Sequence, residues 1–270
     1  MNYSVLLTVY KADNADFFRL SLKSMLKQTV LSDDIVIVKD GPITIELQNV
    51  IDEAKKDCSA VHELQLEKNI GLGLALNEGL KICKNDLVAR MDADDISLPQ
   101  RCEKQLKMFE KDPELDIVGC PVIEFIESPD NVVGKRDVPL DNIDIYKYCR
   151  RRDPFNHPTV MYRKSKVMKY GPYGNYRKNQ DTDLWIKLLS NGCKAANCPE
   201  YLLLFRFDER TYKKRKSWTN TKLLIQIRRK AWKIGFCTFS DYMFVACAQM
   251  CMFIMPEWFQ RIVYKKILRR

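Results

Sequence analysis

Short apolar runs alternate with helix-like segments through the first 95 residues of the chain. Runs of consecutive apolar, β-branched residues predict four buried strands, at Tyr3–Val9, Asp34–Lys39, Val61–Leu66 and Leu87–Met91. Apolar residues at helical spacing predict three helices between them, at Ala15–Gln28, Ile45–Asp57 and Leu72–Cys83. This alternation is typical of a doubly wound α/β sheet with parallel strands.

The alternation weakens after Pro99. The pattern there predicts a helix to about Lys111, a strand at Asp116–Phe125, a loop at 128–142, a short strand at Val160–Tyr162 and a helix at Asp183–Ser190. The loop is assigned because its Pro, Asp, Asn and Gly residues favour turns. We recognise no internal repeat.

Polar residues follow three of the predicted strands directly. Thr8 and Tyr10 stand at the end of the first, Asp40 at the end of the second and Asp92 at the end of the fourth. The carboxyl ends of parallel strands meet at one edge of a doubly wound sheet, which is where such sheets bind ligands. We therefore expect these residues to line one crevice.

The segment Met91-Asp92-Ala93-Asp94-Asp95 carries the strongest local chemical signal. Adjacent carboxylates repel each other, so their co-location calls for a cation or for hydrogen-bond donors. Carboxylate and phosphate oxygens are the ligands that Mg²⁺ and Mn²⁺ prefer, so the pair Asp92 and Asp94 predicts a metal that bridges a diphosphate. The alternative is an acidic turn in which Asp95 or Ser97 caps the next helix.

Composition narrows the class of protein. The ten cysteines are scattered singly and form no C-x-x-C pair, which argues against a disulfide framework or a structural zinc site. The chain enters a strand pattern by Ser4, and we recognise no signal peptide before it. The net charge of +10 is concentrated toward the C-terminal part, where nucleic acid, an anionic membrane surface or a solvated basic face could explain it.

The last part of the chain, residues 217–270, combines an apolar stretch with a basic one. Tyr242–Met255 has no charged residue, but it is shorter than the roughly 20 residues needed to span a bilayer. Gln260–Arg270 pairs apolar residues with Lys and Arg, which is typical of a helix lying in a membrane interface. The alternative is a pair of helices that packs on the preceding domain.

Six segments, in this order, resemble the family-2 glycosyltransferases with the GT-A fold: SVLLTVYK, IVIVKDG, NIGLGLALNEGL, ARMDADDISLPQR, FNHPTVMYRK and NQDTDLW. The resemblance spans residues 4 to about 190. It implies a Rossmann-like, doubly wound mixed sheet flanked by helices, with nucleotide-sugar binding in residues 1–95 and acceptor binding in 96–216. Residues 217–270 then form a C-terminal helical appendage. The implied activity is inverting transfer of a hexose or N-acetylhexosamine from a UDP-sugar, with Mn²⁺ or Mg²⁺ as cofactor.

The resemblance also implies roles for residues on the donor side. Thr8 and Tyr10 match positions that contact the nucleoside, and Asp40 matches the acidic residue that hydrogen-bonds uracil. Lys39 and Pro42 depart from the family's D-D-G-S turn, which leaves no assignment for the first acidic position.

The glycine-rich segment that follows belongs to the same side. Asn69, Gly71 and Asn77 match the segment N-x-G-x-x-x-A-x-N, whose glycine lets backbone approach the diphosphate.

The remaining matches concern the metal and the reaction. Asp94 matches the metal-binding position and Asp92 the position that contacts the sugar nucleotide, with Asp95 in a supporting place. Asp181 matches the general base that takes the acceptor proton, although Gln180 replaces the usual Glu before it. Three residues are expected near the acceptor or in support of the base: His157, Asp183 and Trp185. A helix cap remains the alternative for Asp181 and Asp183, and a packed structural histidine for His157.

We expect the acceptor to be a glycan, and a polyprenyl-diphosphate-linked one would suit the basic cluster Arg150-Arg151-Arg152, Lys164 and Lys166. The expected location is the cytoplasm, with peripheral attachment to an anionic inner-membrane surface. Two other classes fit less well. A sugar-phosphate nucleotidyltransferase would carry a glycine-rich segment after the first strand, where TVYKADNAD has none. A nucleic-acid-binding protein would need a recognition motif, and the charge alone provides none.

Overall fold

The computed structural model describes residues 1–207 and 217–256. The strands in these ranges are β1 Ser4–Val9, β2 Asp34–Lys39, β3 Val61–Gln65, β4 Leu87–Met91, β5 Ile96–Ser97, β6 Leu115–Gly119, β7 Val122–Phe125, β8 Val132–Arg136, β9 Met161–Arg163, β10 Lys194–Asn197 and β11 Leu203–Arg206. The helices are α1 Ala15–Leu26, α2 Ile45–Asp57, α3 Leu72–Ile82, α4 Arg101–Lys111, α5 Asn142–Cys149, α6 Lys164–Tyr170, α7 Gln180–Ser190, α8 Trp218–Lys233 and α9 Phe239–Ile254. The predicted β2, α2 and β4 have the observed bounds, and α1, α3, β1 and β3 differ only at their ends.

A seven-stranded sheet with the order β10-β6-β9-β4-β1-β2-β3 forms the centre of the molecule. Strands β1 to β4 are parallel, and β9 runs antiparallel to both β4 and β6. The expected doubly wound mixed sheet is confirmed. From β1 the chain builds outward through β2 and β3 on one side, while β4 lies on the other side. The strand order therefore reverses at the β1–β4 boundary, and a crevice opens beyond the carboxyl ends of these two strands.

Both faces of the sheet are covered, which explains why its central strands read as continuous apolar runs. Every residue of β1 and β2 is buried. Val5 and Leu7 pack toward α1, α2 and α4 on one face. Leu6 and Val36 pack toward α3, α7 and α8 on the other. Alternation along β1 thus sends successive side chains into two separate apolar clusters.

Local sequence determines where the helices around the crevice begin. Asn14 caps α1 by accepting from the N–H groups of Asp16 and Phe17, and Thr44 caps α2 by accepting from Leu47. Helix α3 differs, because it begins after Gly71 at φ 96° and has no side-chain cap. Its first-turn N–H groups are therefore available to a ligand at the rim of the crevice.

A second sheet of four strands, in the order β5-β11-β7-β8, corrects two predictions. The single strand predicted at Asp116–Phe125 is wrong: it is β6 and β7, which belong to different sheets and are separated at Cys120-Pro121. Proline cannot donate to a ladder, so the chain leaves the first sheet there. The loop predicted at 128–142 is wrong over β8, whose Val132 and Val133 are exposed and so give no buried-strand signal. Helices α5 and α6 were not predicted.

The C-terminal helices pack on the domain to different extents. Ile227 and Ala231 of α8 belong to the same apolar cluster as α3 and α7. Helix α9 packs on α8 and buries only Asp241 and Val245. Within the described ranges, none of the helices has the length and apolar character required to cross a bilayer. The predicted domain boundary near residue 216 and the predicted basic helix Gln260–Arg270 lie outside the described residues.

Gly79 tests the packing of α3 on the sheet. A Cβ at Gly79 would lie 2.7 Å from Val38 Cγ2 and closer still to Leu6 Cδ1. Overpacking of this kind costs about 1–3 kcal/mol, more than the gain of about 0.5–1 kcal/mol that alanine brings to a helix interior. We therefore expect Gly79→Ala to lower the urea midpoint of unfolding. Lys81→Ala, at an exposed position of the same helix, is the control, and an unchanged midpoint for Gly79→Ala would contradict this packing.

Candidate active site

Three carboxylates cluster where β4 ends. One carboxylate oxygen from each of Asp92, Asp94 and Asp95 lies within 4.8 Å of the others. Among the described residues, this is the cluster of acidic side chains that could hold a metal ion. Asp94 is exposed at the surface. Desolvation by the surrounding residues, together with the charge of Asp92, nevertheless raises the pKa of Asp94 to about 6. Burial, followed by the charges of Asp94 and Asp92, raises the pKa of Asp95 well above its ordinary value. A divalent cation would relieve this repulsion.

The backbone of this acidic turn is held from two other elements. Ser21 Oγ on α1 donates to the Asp92 carbonyl at 2.6 Å. Arg206 on β11 donates its backbone N–H to Asp95 Oδ1 at 2.8 Å and its Nε–H to the Asp94 carbonyl at 2.9 Å. Asp95 Oδ2 is buried without a hydrogen-bond partner among the described residues. The turn is therefore preorganised, and it retains carboxylate oxygens that fit a hard cation.

Arg206 is a supporting residue that the sequence did not predict. Its guanidinium group lies 3.7 Å from the ring centroid of Phe17 and 4.5 Å from that of Phe125. Burial lowers the pKa of this group. Nothing local to LLFRF suggests a role in the acidic turn, because β11 joins Asp95 only through the tertiary fold.

Arg90 lies directly beneath the site. It is the charged residue in the apolar run of β4, it is 0% exposed, and it forms an ion pair with Asp92. Apart from this ion pair, its guanidinium nitrogens have no hydrogen-bond partner among the described residues. The positive charge also acts on His157 and on Asp181, whose pKa values it lowers. A charged residue inside an otherwise apolar strand was the available signal for this position.

The end of β1 brings a fourth carboxylate to the cluster. Thr8 is buried and Tyr10 is exposed at the rim, as expected of crevice residues. Asp13 Oδ2 accepts the Tyr10 backbone N–H at 2.9 Å. Burial raises the pKa of Asp13 to about 7, and the charges of Asp94 and Asp92 add to this effect. Asp13 was not predicted, although it stands four residues beyond the end of β1.

Asp40 organises the opposite wall of the crevice. Its carboxylate accepts from the backbone N–H of Ile70 at 2.7 Å, from that of Gly71 at 3.0 Å and from Asn69 Nδ2 at 2.9 Å. Gly41, at φ 86°, allows this approach, since a Cβ there would lie 2.6 Å from the Asn69 nitrogen. The structure thus brings three predicted donor-side residues together, and Asp40 connects the end of β2 to the start of α3.

The side chain of Asn77 makes its hydrogen bonds to the segment before α7. Its side-chain amide donates to the Tyr173 carbonyl at 2.9 Å and accepts the Tyr173 N–H at the same distance. Asn77 is buried, so it attaches the segment before α7 to helix α3. Contact with the donor stays a prediction for this residue.

Asp181 occupies the first turn of α7, which begins after Asn179 at φ 56°. Burial and the neighbouring charge of Asp153 raise the pKa of Asp181 to about 6, while the Thr182 N–H and Arg90 act in the opposite direction. A carboxylate with this pKa is ionised at neutral pH and is a stronger base than an ordinary aspartate. Its chemistry therefore suits proton abstraction.

The other residues predicted near the acceptor serve packing. Asp183 forms an ion pair with Lys187 at 2.7 Å on the side of α7 that faces α8. Trp185 is fully buried and packs edge-on against Phe155 and His157. These two residues hold α7 in place, and their acceptor roles stay predictions.

His157 lies in a hydrogen-bonded aromatic network. Its Nε2 is 2.9 Å from the Tyr173 hydroxyl, which is 3.3 Å from that of Tyr162. Burial, with a smaller contribution from Arg90, lowers the pKa of His157 well below its ordinary value. The histidine is thus neutral and packed, the second of the two alternatives drawn from the sequence.

The basic residues proposed for a diphosphate are not gathered at one place. Arg151 pairs with Asp241 at 2.6 Å. Lys166 pairs with Asp116 at 3.2 Å, and Lys164 donates to the Cys83 carbonyl at 2.6 Å. Both lysines therefore serve the packing of α6, while Arg150, Arg151 and Arg152 are all exposed.

Comparisons with known proteins agree with the resemblance drawn from the sequence segments. Residues 4–185 match the model of Glycosyl transferase family 2. The UDP-Gal:alpha-D-GlcNAc-diphosphoundecaprenol beta-1,3-galactosyltransferase of Escherichia coli is 35% identical over 268 residues, which cover 99% of this chain and 97% of that protein. The amylovoran biosynthesis glycosyltransferase AmsE of Erwinia amylovora is 38% identical over 227 residues, which cover 84% of each chain.

Solved structures share the fold at low sequence identity. S. aureus TarS 1–349 in complex with UDP-GlcNAc superposes with a TM-score of 0.68 at 15% identity, covering 99% of this chain and 76% of that one. The mannosyltransferase PcManGT from Pyrobaculum calidifontis, in complex with GDP-Man and Mn²⁺, gives a TM-score of 0.66 at 16% identity, covering 98% and 73%. The resemblance drawn from the six sequence segments is confirmed. This chain belongs to glycosyl transferase family 2 and is a glycosyltransferase with the GT-A fold.

Proposed function

We propose that this enzyme transfers a hexose, with inversion, from a UDP-sugar to a hydroxyl of a lipid-diphosphate-linked glycan in polysaccharide biosynthesis. The observation that carries the proposal is the juxtaposition of the acidic turn Asp92–Asp95 and the raised-pKa carboxylate of Asp181, with Arg90 acting on both. The Escherichia coli relative, which matches along nearly its whole length, supports UDP-galactose and a diphosphoundecaprenol-linked GlcNAc as the first donor and acceptor to test.

The reaction is a single displacement. The acceptor hydroxyl oxygen forms a bond to the anomeric carbon while the bond from that carbon to the diphosphate oxygen breaks. UDP leaves with the electron pair, and the hydroxyl proton passes to Asp181 as general base. One carboxylate suffices, because inversion requires no covalent sugar–enzyme intermediate. The pKa of about 6 keeps Asp181 ionised at neutral pH and makes it basic enough to assist the attack.

The leaving UDP carries the charge that the other groups must balance. Asp94 is the proposed protein ligand of Mn²⁺ or Mg²⁺, with Asp95 held beside it by Arg206. Bound there, the cation supplies electrostatic stabilisation of the departing diphosphate. The start of α3, which has no side-chain cap, is a further candidate to contact the same charge. Arg90 holds Asp92 in an ion pair beside Asp94.

Asp40 retains the capacity for the proposed contact with uracil. A carboxylate has about four acceptor sites, and the segment 69–71 uses three of those on Asp40. The remaining site suits the N3–H of uracil, a donor that cytosine lacks. This residue would therefore contribute to the preference for UDP through the wall that it already organises. A nucleotidyltransferase is disfavoured by the family match, and release of UDP rather than pyrophosphate distinguishes the two reactions.

We also propose that α9 attaches the enzyme to the anionic cytoplasmic face of the inner membrane, where such an acceptor lies. Five apolar positions spaced by three or four residues are exposed along α9: Phe239, Met243, Cys247, Met250 and Ile254. Ile254 is 74% exposed. Arg150 and Arg152 are exposed on either side of Arg151, and Arg151 pairs with Asp241 of α9. An apolar stripe beside basic residues fits a membrane with anionic headgroups.

Replacement of Asp94 tests the metal role. Asp94→Ala should abolish donor hydrolysis and transfer while the far-UV circular dichroism spectrum stays unchanged. Calorimetric titration of Mn²⁺ in the presence of UDP should show binding to the wild type and to Asp57→Ala, an exposed control, but not to Asp94→Ala. Wild-type activity that survives EDTA would exclude the metal role.

Replacement of Asp181 tests the base. Asp181→Asn should slow single-turnover transfer by ~10²–10⁴-fold, because the amide cannot take the acceptor proton. The UDP dissociation constant, measured by calorimetry, should change little, since the crevice near β1 and β4 is untouched. A collapse of UDP binding with normal residual turnover would show that Asp181 is not the base.

Introduced charge on α9 tests the membrane surface. The double variant Met250→Glu/Ile254→Glu should lower co-sedimentation with phosphatidylglycerol-containing vesicles by about tenfold or more, because it replaces apolar burial with repulsion. Leu31→Glu/Ile45→Glu makes the same chemical change at two distant exposed positions and serves as the control. Donor hydrolysis should be normal in both. Equal vesicle binding by the two double variants, or no binding by the wild type, rules out this surface.

A further inference from the structure

The segment between α5 and the His157 turn is held by both C-terminal helices. Arg151 donates to Asp241 of α9 at 2.6 Å, and its guanidinium lies 4.8 Å from the ring centroid of Phe244. Arg228 of α8 is buried, donates to the Cys149 carbonyl and pairs with Asp153 Oδ1 at 3.4 Å. Two helices that follow the part of the chain matched by the family model thus determine where residues 149–153 lie.

Asp153 connects this segment to the start of α7. Its Oδ2 accepts the Thr182 Oγ1–H at 2.9 Å, while its Oδ1 faces Arg228. Thr182 directly follows Asp181 in the first helical turn. Asp153 therefore joins α8 and α7 through one carboxylate, at the point where α7 presents Asp181.

Packing alone does not require a carboxylate at position 153. An asparagine could accept from Thr182 equally well and would carry no charge beside Asp181. Two neighbouring carboxylates repel each other, and the fold compensates with the buried cation of Arg228. The ion pair between the buried Arg228 and the partly exposed Asp153 holds a carboxylate beside the first turn of α7.

We infer that Asp153 is a positioning residue for Asp181, and that Arg228 of α8 holds Asp153 in place, so that the C-terminal helices complete the catalytic centre. This inference rests on the proposed role of Asp181 as the base. It assigns to α8 a contribution to the chemical step that is separate from any contact with a membrane.

The charged and titratable groups that face Asp181 determine the expected direction of change. They come from three elements besides α7 itself: Asp153 from the segment after α5, Arg90 from β4 and Tyr173 from the segment before α7. Burial and Asp153 raise the pKa of Asp181, and Arg90 lowers it. Removal of the Asp153 charge therefore lowers the pKa of Asp181. The base then stays ionised to lower pH but accepts a proton less readily.

Asp153→Asn is the decisive variant, because its amide oxygen can still accept from Thr182, while the charge and the acceptor for Arg228 are removed. The acidic limb of the kcat profile should move to lower pH by about one unit. At pH 8, kcat should fall about threefold to tenfold, while the KM for the UDP-sugar stays the same. Asp144→Asn, which removes an exposed carboxylate from α5, is the control and should match the wild type.

Two substitutions of Arg228 test its role, one that removes the charge and one that keeps it. Arg228→Met should lower kcat more than Asp153→Asn does, and Arg228→Lys should restore part of the loss, because it returns a cation to Asp153. Arg229→Met, at the exposed neighbouring position, should have wild-type kinetics. If Arg228→Met fails to fold, the kcat of Arg228→Lys and the profile of Asp153→Asn decide the question.

A kcat profile of Asp153→Asn that superimposes on the wild-type profile overturns the inference. Asp181→Asn, assayed alongside, separates this failure from failure of the proposed function. Loss of turnover in Asp181→Asn with no shift in Asp153→Asn overturns the inference alone. Normal turnover in Asp181→Asn removes the base itself, and the inference with it.

Discussion

The ion pair between Arg90 and Asp92 is the interaction on which the rest of the site depends. A guanidinium with no solvent exposure is costly to bury, and in this fold the neighbouring carboxylates offset the cost. Conversely, four carboxylates meet at the ends of β1 and β4, namely Asp13, Asp92, Asp94 and Asp95. Burial and mutual repulsion raise the pKa values of Asp13, Asp94 and Asp95, and a positive charge beneath them or a cation above them reduces the repulsion. Arg90 provides the former at all times, so the site is assembled before any ligand arrives.

The topology explains why this charge balance lies where two substrates can meet. Reversal of strand order at β1 and β4 opens the crevice, and the antiparallel β9 brings the His157 turn and α7 to its far side. Alternation along β4 then directs Arg90 into the face that α3 and α7 cover, where it acts on Asp181 as well as on Asp92. One buried residue thus influences both the proposed donor side and the proposed base.

The first half of the fold could be predicted from the sequence because its buried parallel strands are continuous apolar runs. It did not reveal β8, which is half-exposed, or the separation of β6 from β7, which depends on a second sheet. The candidate site divides in the same way. Asp92, Asp94, Asp40 and Asp181 follow strand or helix boundaries that a pattern can locate. Arg206 and Asp153 act through contacts across long sequence separations, 111 residues for Arg206 and Asp95 and 29 for Asp153 and Thr182, which no local pattern encodes.

The C-terminal helices show how such long-range contacts can join two tasks. The sequence suggested a choice between a membrane attachment and a packed helical pair, and the structure shows a packed α8 and an α9 with an exposed apolar stripe. Helix α8 contributes Ile227 and Ala231 to the core and Arg228 to Asp153. Helix α9 holds Arg151 through Asp241 and leaves its apolar stripe exposed. If α9 contacts the membrane as proposed, its other side holds the segment beside the proposed base, and the chemistry would take place at a fixed distance from the bilayer. An acceptor whose lipid stayed in that bilayer would require such a distance, because its reactive hydroxyl could reach Asp181 only at one depth.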